Sequence, residues 1–219
     1  MRIAVWGGTG YTGRSIVSEA VARGHEVTVW SRSAPSEPIA GAHYRQGSLL
    51  DAADRSSSLE ADVVVVSVSP RGDMAGGIVR PAIAALAEEA THTGTRLAVV
   101  GGAGSLLVEA GGPRVVDLPE FAEEYRAEAT EFAEVLDDLR ASAPELDWFL
   151  LSPPNHYGAH VPFEATGSYR VGGDVALSAL DASGQPVGPG GISAADFALA
   201  FVDEIEHPQH ARSRFTVAN

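Results

Sequence analysis

Apolar and polar positions change period repeatedly along this chain. Residues 2–6, Arg2-Ile3-Ala4-Val5-Trp6, form an apolar run that stops at Gly7-Gly8-Thr9-Gly10. Ile16, Val17, Ala20 and Val21 then recur on one helical face, with Gly24 placed as the C-cap. Glu26 to Trp30 reads as a second strand, Ala42 to Gln46 as a weaker third, and Asp51 to Leu59 as a short helix. Asp62 to Val68 reads as a strand around the apolar run of residues 63–66, as suits a parallel strand buried on both faces. Ile78, Val79, Ala82, Ile83, Leu86 and Ala90 outline a long helix, followed by a strand from Leu97 to Val100 that ends at Gly101-Gly102-Ala103-Gly104. Phe121, Tyr125, Ala129, Phe132, Leu136 and Leu139 share a face of the next helix, so Tyr125 is expected to pack toward the sheet. Glu123, Glu124, Glu131, Asp137 and Asp138 fall opposite, on a face read as solvated. Asp147 to Leu151 is a sixth strand, closed by Ser152-Pro153-Pro154.

Beyond that point the alternation breaks. Residues 155–192 are rich in Gly and Pro, with strand-like pieces at Ser168–Val171 and Ala176–Leu180 and a hairpin turn at Asp181-Ala182-Ser183-Gly184. A last helix starts at Ser193, which with Asp196 has the spacing of a capping box, and stops before Pro208. Arg214 to Val217 is expected as an added edge strand. Strands alternating with helices imply an α/β, Rossmann-type, doubly wound parallel sheet flanked by helices. The expectation is a single domain over residues 1–219, with 155–192 a small Gly/Pro-rich insertion or lid on the substrate side.

The glycine loop carries the first chemistry. Gly7-Gly8-Thr9-Gly10-Tyr11-Thr12-Gly13 spaces its glycines as G-x-x-G-x-x-G between the first strand and the first helix. Such glycines allow a tight turn, backbone approach to a pyrophosphate and close helix–strand packing. The helix N-terminus adds unpaired N–H groups and partial positive charge. A carboxylate ending the second strand would favour the free ribose 2′-hydroxyl of NAD(H). Here Ser31-Arg32-Ser33 stand in that place, with no acid before Glu37. The planar fork of Arg32 can pair with a 2′-phosphate, and NADP(H) is therefore expected in preference to NAD(H). Ligands lie beyond the carboxyl ends of such strands. Ser48 and Leu49, Ser67, Val68 and Ser69, Gly101 and Gly102, and Pro153 and Pro154 are thus expected to complete the pocket.

Composition narrows the partners. A formal net charge of −14 argues against nucleic acid, which needs a basic face. With no cysteine there is no disulfide, thiolate metal site or cysteine nucleophile. The histidines form no metal-ligand spacing, and no metal is expected. No apolar run approaches the ~20 residues of a membrane span, and no secretory leader is evident. A cytoplasmic protein acting on a small molecule is expected. Oligomeric state is not legible.

With GGTGYTG at 7–13, Arg32, VVGGAGSL at 99–106, SPP at 152–154, Gly167-Ser168-Tyr169-Arg170 and the final RFTVAN, the chain resembles the atypical short-chain dehydrogenases described as NADH-flavin reductases. The likeness covers nearly its whole length. Ser152-Pro153-Pro154-Asn155-His156 also resembles the Pro-Pro-His turn of biliverdin-IXβ/flavin reductase. The resemblance implies a nicotinamide-dependent reductase with a flavin as candidate acceptor. One departure matters: short-chain dehydrogenases pair Tyr with Lys four places on, whereas Tyr125 is followed by Ala129 and the sequence contains no lysine.

Hydride transfer to a flavin needs mainly a well-placed cofactor in a dry pocket. His156, in the Pro-rich turn, is a candidate proton donor or orienter, with a plain loop histidine as the alternative. Ser105, after the fifth strand, is a second candidate. Two other readings remain open: a non-catalytic NADP(H)-binding redox sensor of NmrA-like type, and a nucleotide-sugar epimerase or dehydratase, for which the chain after the sixth strand is short.

Overall fold

The computed structural model describes all 219 residues. Its strands are β1 (Arg2–Trp6), β2 (Glu26–Ser31), β3 (Ala42–Gln46), β4 (Val63–Val66), β5 (Arg96–Val100), β6 (Trp148–Ser152), β7 (Arg170–Gly172), β8 (Ser178–Leu180), β9 (Pro186–Pro189) and β10 (Ser213–Ala218). The helices are α1 (Tyr11–Ala22), α2 (Ala52–Ser58), α3 (Val79–Thr93), α4 (Glu123–Ala141) and α5 (Ala194–Glu206). Eight strands form one sheet in the order β3-β2-β1-β4-β5-β6-β10-β7. All its pairings are parallel except β7 against β10.

Side-chain alternation along the strands builds two cores. Ile3, Val5, Val63, Val65, Phe149 and Leu151 face α1 and α5, where Ile16, Val17, Phe197 and Phe201 close the layer. Ala4, Trp6, Val64, Val66, Trp148 and Leu150 face α3 and α4, against Ile83, Leu86, Phe132 and Leu136. The four consecutive valines of β4 are fully buried because each face of the sheet is covered. This is the doubly wound α/β architecture that the alternation implies. Gly24, at φ +82°, ends α1 in the left-handed conformation.

Three local expectations are corrected. The 213–218 strand is not an edge: it runs parallel to β6, and β7 doubles back outside it. Ser193 Oγ does accept from the Asp196 N–H (2.9 Å), but Asp196 does not reach back. Its carboxylate instead accepts from the Thr166 and Gly167 N–H groups and from Asn219 Nδ2. Glu131 is not on a solvated face; it is buried and accepts the Val79 and Arg80 N–H groups at 2.9 Å, capping α3. The hairpin turn at 181–184 is present, joining β8 to β9 in a separate two-stranded sheet. No helix is long and apolar enough to cross a membrane.

Candidate cofactor cleft

β1 is the point at which the winding reverses: β2 and β3 lie on one side of it, β4 to β6 on the other. The carboxyl ends of β1 and β4 therefore border the crevice where such sheets bind ligands. A cleft of about 790 Å³ opens there.

The glycine loop forms its floor. Gly7 has φ +79°, and a Cβ on it would stand 2.3 Å from the Ser67 carbonyl oxygen. A Cβ on Gly13 would meet the Gly7 carbonyl oxygen at the same 2.3 Å. The loop is thus clamped between the end of β4 and the first turn of α1, a closeness that only glycine permits. No side chain caps α1 and its first turn holds no acid. Its first N–H groups are left without helical partners beside the cleft, where a helix end favours anions. Gly7, Thr9, Gly10, Tyr11 and Thr12 line the cleft. Gly8 and Gly13 lie beneath it, and Gly8 makes room for Val29.

The strand ends complete the wall as topology suggests. Ser31, Arg32, Ser48, Leu49, Ser67, Val68, Ser69, Gly101, Gly102, Pro153 and Pro154 all line the same cleft. At the β2 end, Arg32 is more than half exposed and its Nη1 donates to Asp73 at 3.3 Å. The Ser31 hydroxyl donates to the Ser33 carbonyl at 2.8 Å. Trp30 stacks on Trp6 with ring centroids 5.0 Å apart, and Trp6 Nε1 donates to Ser58 Oγ. Both indoles line the wall, a pairing that their separation in sequence hides.

The rest of the cleft wall is largely aromatic. Phe121, Tyr125, Phe132 and Tyr157 line it, with Arg71, Glu128 and His160. Tyr157 shares a 2.9 Å hydrogen bond with Thr12 Oγ1 and packs on Tyr11 and Phe197. Burial pushes its phenol upward in pKa, so it stays protonated. Arg71 is ion-paired with Glu128 and stands 5.5 Å from the ring centre of Tyr125.

Three candidate residues fall elsewhere than sequence reasoning put them. Tyr125 does not pack against the sheet; it is 41% exposed and lines the cleft. His156 is exposed and does not line the cleft, although its neighbours Asn155 and Tyr157 do; its N–H donates to Gly190 O at 3.1 Å. His160, four residues on, does line it. Ser105 is buried behind the wall, donating to Gly102 O and accepting from Arg214 Nη1. Of the residues missed, Arg71 and Met74 lie in the loop after β4, where a Gly- and Pro-bearing connector at the sheet's carboxyl edge was the available signal. No cluster of three or more His, Asp or Glu side chains is arranged to hold a metal ion.

Residues 7–208 match a family model described as NAD(P)H-binding. The uncharacterised Bacillus subtilis protein YwnB is 35% identical, over 100% of this chain and 99% of its own. A proposed exported protein from Burkholderia pseudomallei has a crystal structure that superposes with TM-score 0.81 at 34% identity, covering 100% of both chains. A proposed NADH-flavin reductase from Streptococcus pneumoniae superposes with TM-score 0.79 at 30% identity, over 100% of this chain and 99% of its own.

Proposed function

Because this chain belongs to the NAD(P)H-binding family, we propose that it is an NADPH-dependent reductase that passes hydride to a flavin or a similar planar conjugated acceptor. The observation that carries this reading is the cleft itself. It brings an uncapped, acid-free helix N-terminus and Arg32 into one space with the aromatic side chains of Phe121, Tyr125, Phe132 and Tyr157. The similarity to the streptococcal protein named as an NADH-flavin reductase supports the reductase class.

In this reading the α1 N-terminus and the glycine loop hold the pyrophosphate through backbone N–H groups. Arg32 holds the 2′-phosphate, and the strand-end residues from Ser67 to Ser69 flank the linking riboses. Gly101, Gly102, Pro153 and Pro154 wall the reactive end. The nicotinamide, when bound, supplies the hydride. Phe121, Tyr125, Phe132 and Tyr157 then exclude water and present flat apolar surfaces to a planar acceptor. Tyr125 lacks a lysine four places on, which disfavours alcohol–ketone chemistry and suits an acceptor whose last proton comes from water. His160 replaces His156 as the imidazole at the cleft. Residues 155–160 act as the substrate-side flank.

The test is NADPH oxidation with FMN, FAD and riboflavin, compared with NADH and with an Arg32→Ala variant. Loss of a charge-assisted phosphate contact of about 1.5–3 kcal/mol predicts an NADPH KM roughly 10- to 100-fold higher in Arg32→Ala, with NADH nearly unchanged. Binding of NADPH without turnover of any acceptor would instead fit a redox-sensing module, and absence of binding would refute the reading.

A further inference from the structure

The cofactor choice read from Arg32 leaves out a group that the sequence order conceals. Asp73 lies in the single helical turn at Gly72–Met74, between β4 and α3. Arg32 lies just past β2, forty-one positions earlier. The two meet at the mouth of the cleft, with Arg32 Nη1 3.3 Å from Asp73 Oδ2. Residues on both sides of Asp73, Arg71 and Met74, line the cleft, as Arg32 does. The acid that follows Arg32 in sequence, Glu37, is engaged elsewhere by Arg14, which donates to its carbonyl and pairs with its carboxylate. Asp73 is therefore the carboxylate that faces Arg32.

Resting on the proposed NADPH reading, we propose that Asp73 is a second determinant of cofactor choice and that it opposes Arg32. A carboxylate at the ribose edge accepts from a 2′-hydroxyl and repels a 2′-phosphate. Most dinucleotide sites place that acid at the end of the second strand; this chain brings it across from the loop after β4. Asp73 acts twice in the same direction. It occupies the guanidinium that a 2′-phosphate needs, and it adds like charge beside the phosphate. Asp73 thereby holds the site nearer to dual use of NADPH and NADH than Arg32 alone would.

The experiment titrates the full-length protein, Asp73→Asn, Arg32→Ala and the double variant with 2′,5′-ADP and with 5′-AMP, alongside steady-state KM for NADPH and NADH. Both side chains are largely exposed, so the effect is modest and salt-sensitive. Asp73→Asn is expected to tighten 2′,5′-ADP roughly two- to five-fold at low salt, the range for exposed charge pairs, and to leave 5′-AMP unchanged. The gain shrinks at 0.5 M salt, where screening is short-ranged. It also shrinks in the Arg32→Ala background, which removes the freed guanidinium but keeps the relief of repulsion. No change with either nucleotide overturns the proposal, as does an equal shift in both, which would mean a role in loop shape. If Arg32→Ala fails to separate the two nucleotides while Asp73→Asn still does, the Arg32 reading falls with the competition for its guanidinium, and Asp73 acts by direct repulsion of the 2′-phosphate alone. If neither nucleotide binds, both fall.

Discussion

At the scale of single residues, this site is decided by what glycine leaves out. Gly13 begins its role inside α1, where a methyl group would ordinarily raise helix propensity. Here that methyl would stand 2.3 Å from the Gly7 carbonyl oxygen and 2.9 Å from Gly7 C and Gly8 Cα. Backbone, not a flexible side-chain tip, would have to move. Gly13→Ala is expected to cost about 1–3 kcal/mol, the usual range for overpacking. The displaced loop should weaken NADPH binding roughly ten-fold or more, the loss of one hydrogen bond to a charged group. Thermal unfolding and NADPH titration on one preparation check both. A variant that melts lower but binds normally would show that the loop does not contact the cofactor. The glycine spacing that predicts this site was legible because its constraint is local. The Trp6–Trp30 stack and the Arg32–Asp73 pair were not, because each joins residues whose proximity is fixed only once the strand order is known.

At the scale of elements, periodicity told which face of a helix is apolar but not what each part of that face meets. α4 illustrates both sides of this. Its 19 residues make a rod of ~28 Å, whereas the five-residue strands beside it extend only ~17 Å. Phe132, Val135, Leu136 and Leu139 therefore reach the core as the pattern suggests, while Tyr125, at the overhanging N-terminal end, projects into the cleft. Glu131 shows the reverse error: a charged position read as solvated is buried because it meets the start of α3. There it supplies the acceptor that two N–H groups lack, and α3 has no side-chain cap of its own. Glu131→Ala should destabilise the protein by about 1–3 kcal/mol, the cost of leaving buried donors unpaired. Glu131→Gln, which keeps an acceptor oxygen, should lose less. Urea unfolding of both variants tests this; an alanine variant within about 0.5 kcal/mol of wild type, the ordinary result at a surface position, would return Glu131 to the solvated face.

At the scale of the whole molecule, a buried carboxylate of the last helix ties together two strands of the sheet. Glu204, near the end of α5 and 4% exposed, accepts from Arg96 Nη2 at 2.7 Å at the start of β5. It also accepts from the Gln209 and His210 N–H groups and pairs with His210 Nδ1 at 2.8 Å, just before β10. His210 in turn stacks on Phe215 of β10 at 3.9 Å, and the Arg96 guanidinium lies 4.8 Å from the Phe149 ring centre. Burial by itself would raise the Glu204 pKa, but the hydrogen bonds from His210, Arg96 and Gln209 outweigh it and hold the pKa below the ordinary 4.5. A depressed carboxylate contributes stability that is complete above its unfolded value and is lost as pH falls through its folded one. The protein should therefore lose stability as it is acidified below pH ~4.5, with Glu204 among the groups responsible. Glu204→Gln removes one partner of a buried ion pair and should cost about 3–5 kcal/mol at pH 7. The gap between wild type and variant should narrow steadily below pH ~4.5, because protonation of Glu204 makes the wild type resemble the variant. Denaturant unfolding of both proteins at pH 7, 5, 4 and 3 measures that gap directly. A gap that stays constant across the series would mean that Glu204 contributes through packing, and that the acid sensitivity of the fold lies with other carboxylates.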